Sequence, residues 1–302
     1  KPEDWKKEDD KILIREIWSS PMVFRRASKH HTLSEDAKAL NKEAKRRVNE
    51  YKAGKKKDST FQMINGNKVT IICHDTDKKK TDEISDIVQA LDTKFTKFGN
   101  QLDVRVLGPA DKSNLDETED KLGKNHSSVI LNLSLKDNAG NEVGRFLNGG
   151  DAEVVCFDHL WDRLSKKSKT EWLKYDVLQA PHHCSWRSLS HESWSDTEGK
   201  AKVSDDAYSA LSQCVDSAYI VASSKTVKDD YIDPPCYGAK NQYLKMLKAN
   251  NQSGTFKCVA DVKMKGENIP FELELTKRGI KDVTPKAIFS KTPDPQKAQN
   301  KQ

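Results

Sequence analysis

Short apolar runs alternate with segments of helical period along this 302-residue chain, and that alternation constrains the fold more than any other feature. Runs rich in β-branched residues predict strands, and an apolar stripe that repeats every three to four residues predicts a helix. The alternation favours an α/β architecture. Strands are predicted at 12–18, 69–73, 102–107, 128–135, 145–147, 176–180 and 218–223, and helices at 34–51, 82–98, 154–164, 169–175, 207–214 and 239–248.

Two further segments complete the outline. Residues 52–59 are predicted to form a basic loop after the first helix, whose end is predicted at Gly54. Segments 255–264 and 269–276 are predicted to pair as a hairpin across a turn at 265–268.

Composition excludes several classes of protein. No run of about 18 apolar residues is present, which argues against a membrane-spanning helix, and the charged first residues do not resemble a signal peptide. The six cysteines are widely spaced without a CxxC pair, so we expect buried apolar residues rather than a disulfide framework in a cytoplasmic protein. The net charge of +6 permits a nucleic-acid partner, and a solvated lysine surface would explain it equally well.

Three polar clusters lie beside predicted strand ends, where a sheet holds functional loops rigidly. The first is Gly149-Gly150-Asp151, whose glycine pair allows a tight turn that presents one carboxylate. An Asp in this position can bridge two divalent ions. The alternative is a turn Asp that caps the next helix.

The second cluster is Pro181-His182-His183, at the end of the predicted strand 176–180. An imidazole there is a suitable ligand for Zn²⁺ or Mn²⁺. Neighbouring side chains point in opposite directions on an extended backbone. We therefore expect one histidine to bind metal and the other to pack, to donate a hydrogen bond or to contact substrate. An ordinary pair of loop histidines is the alternative.

His126, just ahead of the predicted strand 128–135, is a third candidate ligand, with a polar strand entry as the alternative. His74, Asp75 and Asp77 form a competing site for a hard divalent ion, or simply an Asp-rich turn. The chain has no phosphate-binding glycine loop, nucleophile elbow or zinc-finger spacing.

In order along the chain, these segments resemble the metallo-β-lactamase-fold hydrolases related to the cytoplasmic domain of the DNA-uptake channel ComEC. Five stretches carry the resemblance, which spans somewhat under half the chain: 102–109, 125–131, 146–153, 176–185, and 219–223 with 233–235. Two positions depart from the family pattern. Cys184 stands where a small glycine follows the histidine pair, and Gly149 stands where a threonine precedes Gly-Asp.

The resemblance implies a four-layer αββα sandwich with the active site at one edge, between the two sheets. The polar, proline-containing composition of 281–302 predicts a disordered tail, and the predicted hairpin makes 251–280 a C-terminal β-hairpin extension. By the resemblance, residues 1–250 would form the metallo-β-lactamase-like domain with its N-terminal part missing. It also implies Asp151 as the metal-bridging residue, His182 or His183 as the last metal-binding histidine, and His126 near the third ligand position.

The family's His-x-His-x-Asp-His motif, which supplies most ligands for both metals, is absent from the chain, and we expect it ahead of Lys1 in a longer parent. A second chain could supply it instead, or the protein could be an inactive member. In the intact protein, two Zn²⁺ or Mn²⁺ ions would activate a bound water. Asp151 and His183 are then the predicted catalytic residues.

Ser185, Arg187 and Lys225 are predicted to contact substrate anions. The predicted function is a phosphodiesterase or nuclease acting on nucleic acid, because the basic charge and the ComEC-like pattern favour it. The alternative is a non-catalytic partner or regulatory subunit of a multi-protein defence or DNA-handling complex. A third reading is an unrelated α/β domain whose histidines and aspartates coincide.

Overall fold

A computed structural model describes residues 14–24, 32–74, 82–109, 122–249, 253–276 and 279–285. Within these ranges the chain is an α/β protein, as predicted. Its strands form a three-stranded parallel sheet, a seven-stranded mixed sheet and two short two-stranded ribbons.

The small sheet and its helix come from the first third of the chain. Strands β1 (Glu16–Ser19), β2 (Lys68–Ile72) and β3 (Val88–Gln89) pair in that order, all parallel. Helix α1 (Glu35–Lys57) begins where predicted, because the Ser34 side chain accepts the N–H of Ala37.

Helix α1 runs past Gly54 to Lys57, so the predicted basic loop at 52–59 is wrong. Gly54 does not terminate the helix. Its missing side chain makes room for Phe61, whose ring would lie 2.3 Å from an added Cβ. The glycine therefore serves a close packing contact, which the sequence pattern does not distinguish from a helix end.

The predicted helix at 82–98 is also wrong. The segment forms a 3₁₀ turn (Ser85–Ile87), then β3, then β4 (Lys94–Lys97). Strand β3 pairs with β2, and β4 pairs antiparallel with β5 (Leu102–Val106). The apolar residues repeat at helical spacing, but pairing with two neighbouring strands decides the conformation, as is common for β-branched segments.

The large sheet contains β4, β5 and five further strands: β6 (Leu131–Lys136), β7 (Glu142–Asn148), β8 (Tyr175–Gln179), β9 (Cys214–Ala222) and β10 (Thr255–Cys258). Their order across the sheet is β10-β9-β8-β7-β6-β5-β4. Its strands from β4 to β7 are antiparallel and those from β7 to β10 are parallel. The predicted strands at 102–107, 128–135, 145–147, 176–180 and 218–223 are all present, with shifted ends.

Three helices pack with the parallel half of this sheet. They are α2 (Val154–Lys166), α3 (Asp205–Leu211) and α4 (Tyr237–Lys248). The predicted helix at 169–175 is only a 3₁₀ turn (Thr170–Leu173) that leads into β8. The main hydrophobic core joins the helices to β8 and β9 through Phe157, Leu160, Leu178, Ile220 and Tyr243.

The predicted hairpin of 255–264 with 269–276 is wrong in its pairing. Strand β10 joins the large sheet beside β9. The turn at 265–266 is present, but it connects only β11 (Lys263–Met264) and β12 (Glu267–Asn268). Strand β13 (Leu273–Thr276) pairs with β14 (Gly279–Asp282), which takes in the start of the predicted disordered tail. Residues 286–302 of that tail lie outside the described residues.

Separate hydrophobic clusters connect successive groups of elements. One joins α1 to the small sheet through Tyr51, Val69 and Ile71. Another joins the small sheet to the antiparallel half of the large sheet, with Ile72 and Val106 at its centre. With the main core, these clusters place α1, the small sheet, the large sheet and the remaining helices in succession.

All six cysteines are buried and unpaired by disulfides, as predicted. Burial raises the pKa of the Cys184 thiol, and it raises the pKa of Cys236 to about 11. Both thiols are therefore protonated at neutral pH and act as packing groups. Among the helices that the structure describes, none has the length and apolar character needed to cross a membrane.

Candidate functional site

Three loops meet at the carboxyl edge of the large sheet. Strands β7, β8 and β9 are parallel neighbours, so the segments after them lie side by side. These segments carry Asp151, the histidine pair and Lys225, respectively. The sheet therefore brings together residues that lie up to 74 positions apart in the chain.

The loops after β7 and β8 are joined by a direct backbone contact. Gly150 has a φ of +53°, and its carbonyl accepts the N–H of His182 at 2.9 Å. The Gly150 N–H in turn donates to the side chain of Asn148 at 2.8 Å. Glycine adopts this left-handed conformation at little cost. The turn at Gly150 therefore sets the direction in which the chain continues from β7 to Asp151.

His182, His183 and Cys184 all adopt left-handed backbone conformations, with φ values of 49°, 57° and 69°. The extended backbone expected for the histidine pair is therefore wrong. Each such residue costs about 1 kcal/mol or more and persists only when its surroundings hold it. Here the Cys184 carbonyl accepts the N–H of Cys236 at 2.9 Å, and the His182 carbonyl accepts that of Ser185 at 3.0 Å.

Asp151 and His183 form the exposed part of the site. His183 Nε2 lies 3.7 Å from Asp151 Oδ1, and the two side chains are 52% and 50% exposed. His183 Nδ1 lies 2.7 Å from the backbone carbonyl of Ser223. A carbonyl can only accept, so Nδ1 carries the hydrogen, and in the neutral ring Nε2 presents its lone pair to the carboxylate.

This geometry suits a shared cation. The Nε2–Oδ1 separation of 3.7 Å exceeds hydrogen-bond distance. It is close to the separation of two ligands that each lie about 2.0–2.2 Å from one zinc ion. The Ser223 carbonyl supplies the hydrogen-bond acceptor that metal-binding histidines usually have on their second nitrogen. An imidazolium ring would also satisfy the pair. The two residues thus fit as two ligands of a metal site.

A second, more buried group is centred on Glu153. Its Oε1 accepts from the Asn125 side chain at 2.8 Å and lies 3.8 Å from His182 Nδ1, and its Oε2 lies 3.5 Å from His126 Nε2. The Glu153 side chain is 17% exposed, and each imidazole is 16% exposed. One carboxylate therefore lies between two histidines that were predicted as metal ligands.

The hydrogen bonds of His126 argue against direct metal binding in this conformation. The N–H of Gly123 donates to His126 Nδ1 at 3.0 Å, so that nitrogen is an acceptor and the neutral ring carries its hydrogen on Nε2. The Nε2 hydrogen then faces Glu153. The structure groups His126 with Glu153 rather than with Asp151, and its role as a third ligand stays a prediction.

His182 faces away from the Asp151–His183 pair. Its ring centroid lies 6.5 Å from that of His183, with the ring planes at 58°. Its Nδ1 is buried, and no hydrogen bond to it is made within the part of the chain that the structure describes. Of the two adjacent histidines, His183 is therefore the one that stands beside the predicted bridging aspartate.

The three predicted substrate contacts differ in accessibility. Ser185 is fully buried, and its Oγ accepts the N–H of Arg187 at 3.1 Å. Ser185 therefore caps a 3₁₀ turn (Trp186–Ser188), and this position does not support the predicted contact with substrate. Arg187 and Lys225 are both exposed, so both remain able to meet an anion.

The competing site at His74, Asp75 and Asp77 cannot be compared, since both aspartates lie outside the described residues. Across the described ranges, no group of three or more His, Cys, Asp or Glu side chains has an arrangement that could hold a metal ion. Asp151 and His183 therefore need further ligands to complete a metal centre.

Sequence reasoning gave no role to Glu153, which holds the buried group together. The sequence did contain a signal for this residue. Glu153 lies two residues after Asp151, directly ahead of the apolar helix α2, where a carboxylate is favoured by the helix dipole.

Comparisons with known proteins add no assignment to this geometry. No protein family, curated protein or solved structure was found to match the chain.

Proposed function

We propose that the protein is a metal-dependent hydrolase, a phosphodiesterase acting on nucleic acid, with a divalent cation held by Asp151 and His183. One observation carries the proposal. The Ser223 carbonyl fixes a hydrogen of His183 on Nδ1, so in the neutral ring the Nε2 lone pair faces a carboxylate oxygen at 3.7 Å. Two electron-pair donors held face to face at this distance are favourable when a cation lies between them.

The surroundings of this pair support the same chemistry. Exposed Arg187 and Lys225 lie in the loops after β8 and β9, where they would bind phosphate oxygens. The succession of α1, two sheets and further helices agrees with the αββα sandwich that the family resemblance implies.

Bound Zn²⁺ or Mn²⁺ would supply an acidified water and a Lewis acid for a phosphoryl oxygen. The chain's own residues prepare the site for it. Ser223 orients the His183 ring, and the Gly150–His182 backbone bond sets the spacing between the loops that carry Asp151 and His183. A complete two-ion centre needs ligands beyond these two residues.

The second candidate function is a non-catalytic binding platform within a multi-protein complex. It is favoured by the lack of a three-ligand group among the described residues. A platform of this kind would keep the fold and the arrangement of the loops without turnover.

Zinc and manganese binding should be measured by titration calorimetry on the whole chain, together with hydrolysis of a generic phosphodiester such as bis(p-nitrophenyl) phosphate. Asp151→Ala and His183→Ala should each abolish binding and turnover. His191→Ala is a matched control, because His191 Nε2 forms a separate histidine–carboxylate pair, 2.7 Å from Asp158 in α2, with its own side chain 58% exposed.

Three outcomes are informative. Loss in both site variants with an unchanged control supports the hydrolase. Metal binding without turnover favours the platform. Metal uptake that is equal in wild type and both site variants would rule out Asp151 and His183 as ligands.

A further inference from the structure

The outer face of α1 carries an unusual line of lysines. The helix holds nine basic and four acidic side chains, and so accounts for most of the chain's net charge of +6. At 100° per residue, five of its polar residues fall within about 60° of one another around the helix axis. We call them the α1 ridge: Lys38, Lys42, Lys45, Asn49 and Lys56.

The ridge faces away from the protein. The buried residues of the helix, Ala44, Arg47 and Tyr51, lie on the opposite side of its axis. Lys42, Lys45, Asn49 and Lys56 are exposed. The line from Lys38 to Lys56 is about 27 Å long at 1.5 Å per residue.

Carboxylates neutralise the flanks of α1 but not most of its ridge. Glu43 pairs with Arg46 at 2.7 Å and with the buried Arg47 at 2.8 Å. On the side toward β3, Lys52 pairs with Glu83 and Lys55 with Asp86. In the described part of the chain, Lys42, Lys45 and Lys56 have no such ion pair. Lys38 does have one, but its partner Glu35 is 89% exposed.

This arrangement disfavours the helix itself. Lysines three or four residues apart repel one another and destabilise a helix, and Lys38, Lys42 and Lys45 follow that spacing. The helix is nevertheless held firmly. Arg47 donates to the carbonyls of Lys68 and Ile14, which ties α1 to the small sheet. A helix anchored to the small sheet thus presents a mostly unpaired line of positive charge to solvent.

The ridge also has a concave edge. A shallow depression of about 510 Å³ lies along this edge. It is lined only by cationic and amide side chains: Lys38, Asn41, Lys42, Lys45, Arg46 and Asn49. Ammonium, guanidinium and amide groups are the donors that proteins use to hold the phosphates of nucleic acids without reading their sequence.

We propose that the α1 ridge is a docking surface for the sugar-phosphate backbone of nucleic acid. Charge complementarity and the straight line of donors select this partner over an apolar or cationic one. The choice of nucleic acid rests in part on the proposed function. The ridge would hold the polyanion by its backbone, independently of sequence, while hydrolysis takes place at the edge of the large sheet.

The test compares two triple variants of the whole chain. Lys42, Lys45 and Lys56 are changed to Gln in one, and exposed Lys174, Lys200 and Lys202 are changed to Gln in the matched control, which has the same net charge. Binding to a fluorescent 20-base-pair DNA duplex is followed by anisotropy in EDTA across a range of salt concentrations.

The ridge variant should bind at least about tenfold more weakly. The slope of log K against log salt should be smaller by about 2–3, since each phosphate contact contributes about 0.9. The control should lose less than about twofold. Equal losses in both variants, or wild-type binding by the ridge variant, would overturn the proposal.

Two further probes distinguish nucleic acid from other polyanions as the partner. The wild-type protein is tested for binding to vesicles that contain phosphatidylserine and to poly-glutamate. If either is bound as tightly as the duplex, the ridge is a general anion-binding surface and the assignment is overturned. Because EDTA removes metal, duplex binding is independent of the proposed hydrolase. Failure of duplex binding with intact zinc uptake rejects only the ridge, and the reverse result rejects only the metal site.

Discussion

Two histidine–carboxylate groups lie next to each other at the edge of the large sheet, and they differ in exposure and in the position of the imidazole hydrogen. Asp151 and His183 are about half exposed, and their facing atoms are both electron-pair donors when the ring is neutral. Glu153 is mostly buried, accepts a hydrogen bond from Asn125 and faces the hydrogen on His126 Nε2. The comparison shows that hydrogen placement, rather than residue type, separates a group open to a cation from one already satisfied by the protein.

The largest effect is expected for Asp151→Asn. The amide can donate to His183 Nε2, so the unfolding free energy should stay the same or rise slightly. Zinc affinity should fall about 100-fold, which is about 2.7 kcal/mol, because the charged ligand is lost. Calorimetric titration and urea unfolding measure the two quantities. A stability loss above about 1 kcal/mol with unchanged zinc affinity would place Asp151 with the structural carboxylates.

Asp103 in β5 is a structural carboxylate, and its contribution to the unfolding free energy can be compared with that of Asp151. Its side chain is 5% exposed and lies 2.7 Å from Lys136 Nζ and 3.1 Å from Lys94 Nζ. Burial alone would raise the pKa of Asp103, but the hydrogen bonds from the two lysines outweigh it and lower the pKa to about 2. Asp103→Asn should lower the unfolding free energy at pH 7 by about 2 kcal/mol.

The pH dependence of that loss follows from the direction of the shift. Because the folded protein lowers the pKa of Asp103, the stabilisation is present above the unfolded-state pKa near 4 and is lost as the pH falls toward 2. The difference between wild type and Asp103→Asn should therefore shrink over that range in urea unfolding curves. A difference that is constant from pH 7 to pH 2 would contradict the lysine pairing.

A smaller effect is expected for Glu153→Ala. The change removes the acceptor of Asn125 and the carboxylate between two imidazoles, so the unfolding free energy should fall by about 1–2 kcal/mol. Zinc affinity should change less than about threefold. Asp151→Ala is the control at the neighbouring group. If Glu153→Ala abolished zinc binding without a loss of stability, Glu153 would be a metal ligand and not a structural carboxylate.

The smallest effect is expected for His182→Asn. The buried Nδ1 of His182 makes no hydrogen bond within the described ranges, so little is lost with the imidazole. Asparagine also tolerates the left-handed conformation at φ 49°. The unfolding free energy should change by less than about 1 kcal/mol, with zinc affinity unchanged, as measured by the same two methods. A large loss of zinc affinity would make His182, not His183, the ligand.

The sequence predicted the parts of this molecule whose conformation is set locally. The strands of the large sheet are apolar runs bounded by turns, and the N-terminus of α1 follows from the Ser34 cap. Several failures depend on contacts made outside the segment itself. Gly54 leaves room for Phe61, and Thr255–Cys258 finds β9 rather than a local hairpin partner.

The positions of the candidate site residues were predicted in the same partial way. Asp151 and the histidine pair were predicted because they follow predicted strands, and the ends of strands can be recognised from turn residues in the sequence. The choice between His182 and His183 depends on the Ser223 carbonyl, 40 residues away, and on left-handed backbone that no local pattern indicated. The position of Ser185 was also beyond prediction, since a serine beside a candidate ligand is equally suited to bind substrate or to cap a turn.

The left-handed turn at His182, His183 and Cys184 belongs to the whole sheet edge rather than to the segment that contains it. Gly150, Ser223 and Cys236 each fasten it from a different part of the chain. An excised peptide with the same histidines would relax to ordinary backbone and lose the arrangement. The relative orientation of His182 and His183 therefore depends on all three anchors, and loss of any one of them would release both histidines together.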